Sequence, residues 1–194
     1  MISGSAKGHR LKTIRGTLTR PTSDRVKEAL FNIIAFRIEN SMVLDAFAGT
    51  GSLGIEALSR GARGAVFMDK SPECCETVRD NLAHTKLAGK AAVYTTDFAA
   101  GIEKLFKKGQ RFDLILLDPP YNKNFIQETL KTLIKNDIME DDGIIAAEHS
   151  ASDSLPDAVG RLELADARKY GDTMISIYRV GRDGSFLTHG KENE

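Results

Sequence analysis

The sequence predicts an α/β fold: a doubly wound, mostly parallel sheet with an antiparallel closing strand and a small N-terminal hairpin/helix appendage. Three observations carry that expectation. From Ser41 onward, short apolar runs alternate with amphipathic ones, the pattern of strand followed by crossover helix. A glycine-rich turn, Gly49-Thr50-Gly51-Ser52-Leu53-Gly54, directly follows the first apolar run, where a strand would pass into a helix. The run at 112–117 is almost wholly apolar, as a central strand covered on both faces must be.

The elements follow in order. Residues 1–20 mix Gly, Thr and basic residues with short apolar alternation and fit a small hairpin or a partly ordered arm. Pro21-Thr22 ends that segment, and a helix is expected from Ser23 or Asp24. Its apolar stripe, Val26, Ala29, Leu30, Ile33 and Ile34, would dock on the main body. Strands are expected at 42–47, 65–68, 91–95, 112–117 and 143–147, with a closing pair at 161–167 and 174–180 turning at Tyr170-Gly171-Asp172. The helices between them are expected at 52–60, from Ser71 (a cap ahead of Pro72), at 98–106 and at 125–134. Cys75, Val78 and Leu82 should face inward from the second of these. The expected division is an N-terminal arm and docking helix over 1–38, a main domain over 39–181, and a frayed, disordered tail over 182–194.

Bulk properties narrow the setting. A chain of 194 residues suits one domain of ordinary size with a real core. No apolar run approaches the roughly 20 residues that span a bilayer, and the start has no charged-then-apolar leader, so a cytoplasmic protein without membrane contact is expected. The two cysteines, Cys74 and Cys75, are adjacent and read as small apolar residues; no residue set has metal-ligand spacing, so no metal is expected. Lys+Arg and Asp+Glu balance at 27 each, yet 1–23 contain no acid while Lys7, Arg10, Lys12, Arg15 and Arg20 are basic. That asymmetry is either a footprint for a polyanion or a solvated terminal arm.

In doubly wound sheets ligands bind beyond the carboxyl ends of the strands, so Asp45, Asp69, Asp97 and Asp118 form the functional shortlist. The glycine loop alone fits a dinucleotide site, or simply a tight turn. Asp45 separates the cofactors. A carboxylate about 4 Å from a phosphate charge costs about 4 kcal/mol at an effective dielectric of 20. S-adenosylmethionine offers an ammonium and a sulfonium there instead, for which the same carboxylate is attractive. Phe47, Gly49 and Gly51 complete the loop; Asp69, with Lys70 beside it, can accept from ribose hydroxyls; Asp97 can accept from an adenine amine, with Phe98 against the ring.

Leu117-Asp118-Pro119-Pro120-Tyr121 then reads as a reacting centre as well as a rigid turn. An exocyclic base amine is a poor nucleophile because its lone pair is delocalised into the ring. The Asp118 carboxylate and the Pro119 carbonyl could accept both amine hydrogens, Pro120 would keep them rigid, and Tyr121 would offer a stacking face. The tetrapeptide resembles the catalytic motif of methyltransferases acting on adenine N6, cytosine N4, guanine N2 or glutamine amide.

Arg20-Pro21-Thr22-Ser23-Asp24-Arg25-Val26-Lys27-Glu28-Ala29-Leu30-Phe31-Asn32 resembles the N-terminal signature of the RsmD family, 16S ribosomal RNA guanine-N2 methyltransferases. Gly8-His9-Arg10-Leu11-Lys12 is similar to that family's Gly-x-Arg-Gly-x-x-Leu region without its second Gly, and Lys169-Tyr170-Gly171-Asp172-Thr173 resembles its closing hairpin. The family commonly has Glu where Asp69 stands. The resemblance implies a Rossmann-like methyltransferase fold, S-adenosylmethionine as cofactor, and Arg20, Thr22 and Arg25 near the cofactor mouth and the RNA; Arg10 and Lys12 of the acid-free arm are expected to contact RNA phosphates. It implies 16S ribosomal RNA as substrate, free or within an assembling small subunit; a monomer is expected. The alternatives are a DNA adenine-N6 methyltransferase, which usually carries a sizeable recognition insertion, and a non-catalytic RNA-binding module, which leaves the strand-end acids without a purpose.

Overall fold

The computed structural model describes residues 1–14, 24–119 and 125–181. Eight strands form one sheet: β1 (Met42–Asp45), β2 (Gly64–Asp69), β3 (Ala91–Thr95), β4 (Phe112–Leu117), β5 (Met139–Ser150), β6 (Ala158–Val159), β7 (Leu162–Tyr170) and β8 (Thr173–Val180). Their spatial order is β3-β2-β1-β4-β5-β8-β7-β6. Neighbours from β3 across to β5 are parallel, and β8, β7 and β6 continue antiparallel. The order reverses between β1 and β4, the switch point at which such sheets open a crevice for ligands.

Alternation along each strand builds two cores. Val43, Phe67, Leu114, Leu116 and Ile144 face helices α1 (Asp24–Ile33), α2 (Ser52–Ser59) and α3 (Pro72–His84). Leu44, Val66, Ile115, Leu117 and Ile145 face α4 (Phe98–Lys107) and α5 (Phe125–Asn136). Successive strand side chains point to opposite faces, so a strand with helices on both sides must be apolar throughout. Leu114, Ile115, Leu116 and Leu117 are accordingly all fully buried. The expected inward face of α3 is seen in Cys75, Val78 and Leu82, and the Ser71 hydroxyl caps that helix by accepting from Cys74 N at 3.3 Å.

The structure departs from expectation in two places. The antiparallel part is larger than one closing pair: β6 adds a third strand, and β5 runs well beyond 143–147. Its first residue, Met139, pairs with Phe112, but the next pair is Leu114 with Ile144, so residues 140–143 bulge out of the ladder. Nor do residues 1–14, the described part of the segment expected as a small hairpin or a partly ordered arm, contain a strand; they form a docked coil. Backbone N–H groups of Ile2 and Ser3 donate to the buried Glu56 carboxylate, both at 2.9 Å, and Ala6 is buried with its N–H on Ser59 Oγ at 2.9 Å. This coil satisfies its backbone with side chains of α2 and so needs no strand partner. Arg15–Ser23 and the expected tail lie outside the described residues. No helix among the described residues is long and apolar enough to cross a membrane.

Candidate active site at the carboxyl end of the sheet

Register brings the strand-end carboxylates together. Asp45 ends β1, opposite Leu116 of β4 and Phe67 of β2, so Asp118 stands one step beyond β4 and Asp69 ends β2. Asp45, Phe67 and Leu116 share the parity of Asp69 and Asp118. The glycine loop fills the space between. Gly49 and Gly51 have φ of 52° and 79°, left-handed values that favour glycine, and a Cβ on Gly49 would meet nothing within 4 Å. Gly54 is required for another reason: a Cβ there would come within 2.3 Å of the Phe67 ring, so α2 could not pack this closely on β2.

Asp45 is buried beneath the loop, where its Oδ2 accepts from Gly54 N at 2.9 Å. Burial pushes its carboxyl up to about 7; the Gly54 hydrogen bond opposes this, and the carboxylates of Asp118 and Asp69 raise it further. Those two acids therefore lie close enough for Asp45 to feel their charge. Asp69 is half-buried and braces the loop, its Oδ2 accepting from Gly49 N at 2.9 Å and its Oδ1 from Ser71 N at 2.8 Å. Lys70 beside it is exposed. Asp97 is exposed and caps α4, its Oδ1 accepting from Ala100 N at 3.0 Å. Phe98, the first residue of α4, stacks on Phe47 with ring centroids 5.2 Å apart and 16° between planes, and Phe125 meets Phe47 edge-on at 5.3 Å. Phe47, itself part of the acidic loop, thus joins the loop to a cluster of three aromatic rings.

Asp118 is partly exposed and Pro119 buried, directly beyond the last residue of β4. Pro120 and Tyr121 lie outside the described residues, as do Arg20 and Thr22. Arg25, Arg10 and Lys12 are exposed; Arg25 is on α1, and Lys12 pairs with Asp80 of α3 at 2.7 Å. Among the buried polar side chains that sequence reasoning passed over are Glu56, Asn81 and Glu148. Each had a signal in the sequence. Glu56 is the one charge in its helix, Asn81 falls on the inward stripe with Val78 and Leu82, and Glu148 directly follows the apolar run at 143–147. Since Leu117 pairs with Ala147, Glu148 stands level with Asp118 on the neighbouring strand.

The profile of the family described as conserved hypothetical protein 95 matches residues 1–179. A Bacillus subtilis protein described as a candidate rRNA methyltransferase, YlbH, is 41% identical over 179 residues, which cover 92% of this chain and 97% of that one. The chain belongs to the RsmD methyltransferase family. Another relative, ribosomal RNA small subunit methyltransferase D of Escherichia coli K12, is 32% identical over 184 residues, 95% of this chain and 91% of the relative. The solved structure of an Escherichia coli protein described as a candidate methyltransferase, yhhF, superposes with a TM-score of 0.82 at 32% identity, covering 93% and 97% of the two chains. This RsmD-family chain therefore spans nearly the full length of each relative, and its sheet has the Rossmann-like methyltransferase architecture that its sequence predicts.

Proposed function

We propose that this protein is an S-adenosylmethionine-dependent RNA methyltransferase that acts on the exocyclic N2 amine of a guanine in small-subunit ribosomal RNA. One observation carries the reading: Asp118-Pro119 stands at the end of β4, within electrostatic reach of an acidic glycine loop on the adjacent β1. The printed name of the Escherichia coli relative supports a small-subunit RNA as substrate. Guanine N2, rather than another exocyclic amine, rests on the resemblance of the N-terminal signature.

The residues present fit S-adenosylmethionine. Asp45, Asp69 and Asp118 make the crevice electronegative, which suits a cationic ligand and opposes a phosphate-bearing one. The open space at Gly49 leaves room against the loop backbone, and Phe98 and Asp97 suit an adenine ring and its amine. Bound there, S-adenosylmethionine supplies an electrophilic methyl group on a positively charged sulfur. The protein's own contribution is positional. Asp118 and the Pro119 carbonyl hold the two amine hydrogens and aim the nitrogen, and Asp118 is the group to take the proton that the nitrogen loses. Positioning of this kind supplies at most roughly 7–11 kcal/mol. No general acid is needed, because the leaving sulfur departs as a neutral thioether.

The assay is direct. Incubation with methyl-labelled S-adenosylmethionine and either ribosomal RNA, assembling small subunits or DNA should put label into N2-methylguanosine of small-subunit RNA. Label in N6-methyladenine, in DNA alone, or in nothing would overturn the reading.

Asp45 also predicts a pH dependence. Its carboxyl is protonated below about 7 in the free protein, while the ammonium of S-adenosylhomocysteine favours the ionised form, so binding releases a proton. Affinity should fall as pH drops below about 7, by up to about tenfold per unit. Asp45→Asn keeps an acceptor for Gly54 N and removes the titration, so calorimetry on that variant should give a flatter profile. An equal slope in both proteins would assign the effect to another group.

A further inference from the structure

Asn81 of α3 is 1% exposed, yet its side chain makes three hydrogen bonds to backbone distant in sequence. Its Oδ1 accepts from Lys12 N at 2.7 Å, and its Nδ2 donates to Lys12 O at 3.1 Å. The same Nδ2 donates to Thr50 O at 2.9 Å. One amide therefore clasps both backbone groups of an arm residue and the carbonyl between the two left-handed glycines of the loop. Around it, His84 meets His9 edge-on at 5.0 Å and Asp80 pairs with Lys12, so the coil is held along one face of α3. This clasp lies two residues before Ile14, the last described residue ahead of the segment carrying Arg15 and Arg20.

We propose that Asn81 is a positioning residue that ties the basic arm to the cofactor loop and makes RNA and cofactor bind cooperatively. The inference rests on the reading of the arm as an RNA contact and of the loop as a cofactor contact. A buried amide has a fixed set of donors, and both hydrogens of Nδ2 are committed, one to each element. Withdrawing the arm costs the amide two of its three hydrogen bonds, so the arm's docked position and the loop's held conformation stabilise each other. RNA that favours the docked arm then favours the loop geometry that receives the cofactor, and linkage makes the effect reciprocal. A purely structural anchor would behave differently: its loss would lower stability and both affinities, and leave the ratio between bound and free states unchanged.

The test measures S-adenosylhomocysteine affinity by calorimetry with and without the RNA fragment that accepts methyl label. The wild type should bind the cofactor product at least about fivefold more tightly when RNA is present, the low end of typical coupling. In Asn81→Ala, and in the near-isosteric Asn81→Asp, which keeps an acceptor and loses both donors, that factor should collapse towards one. Variants that keep the wild-type factor overturn the proposal, and so does a wild type that binds both ligands independently. A wild type that binds no RNA overturns the functional reading instead. Should both variants fail to fold, hydrogen exchange on the wild type decides: RNA without cofactor should slow exchange at Thr50 and Gly51, and unchanged exchange there refutes the coupling.

Discussion

Replacing Asp118 with alanine should reduce methyl transfer by roughly 10²–10³-fold or more, in line with removing one positioned polar group from a reacting centre. Affinity for S-adenosylhomocysteine should stay nearly unchanged. Asp118 extends from β4, whereas the loop that would hold the cofactor is braced by other groups: Asp45 through Gly54 N and Asp69 through Gly49 N. If anything, loss of one of the carboxylates that raise Asp45 eases the ionisation of Asp45. Single-turnover rates and calorimetry on the same preparation separate the two effects. Asp118→Asn gives a finer test, since it retains one acceptor and should keep more activity than the alanine variant. Near-normal turnover in Asp118→Ala would remove this residue from the reaction.

Much of this site is legible in the sequence because it follows from chain periodicity. Asp45, Asp69 and Asp118 each close an apolar run, and a parallel sheet with short crossovers brings such run ends to one edge. The glycine spacing likewise encodes local geometry, namely a tight turn followed by close packing of α2 on β2. What the sequence hides is set by partners far along the chain. Asn81 bonds Lys12, 69 residues away, and Glu56 bonds Ile2 and Ser3, 54 and 53 residues away. Nothing in the local pattern of either segment names the other. The bulge in β5 escaped for a different reason: Glu140, Asp141 and Asp142 are polar and exposed or half-exposed, so they read as loop although the ladder resumes after them. The first 14 residues show how an irregular coil can be as firmly tied as a strand when buried side chains take its backbone hydrogen bonds.

Replacing Arg10, Lys12 and Arg15 together with alanine should weaken RNA binding by one to two orders of magnitude at moderate salt and flatten its salt dependence. Each phosphate neutralised contributes about −0.9 (duplex) or −0.7 (single strand) to the slope of log affinity against log salt, so three contacts would remove roughly 2–3 from it. The three need not count equally. Arg10 is exposed, whereas Lys12 already pairs with Asp80 at 2.7 Å, so a phosphate must compete with that carboxylate for it. Arg10→Ala should therefore cost more than Lys12→Ala. Lys12 meets Asn81 only through its backbone, so alanine at 12 leaves the clasp on the glycine loop in place. Cofactor affinity and the circular dichroism spectrum of the triple variant should accordingly match the wild type, which separates lost phosphate contacts from a lost fold. A folded triple variant with unchanged RNA affinity and unchanged salt slope would reduce the arm to a solvated extension and move the search for RNA contacts to the crevice mouth, where Arg25 of α1 and the β7–β8 turn at Gly171 remain to be tested.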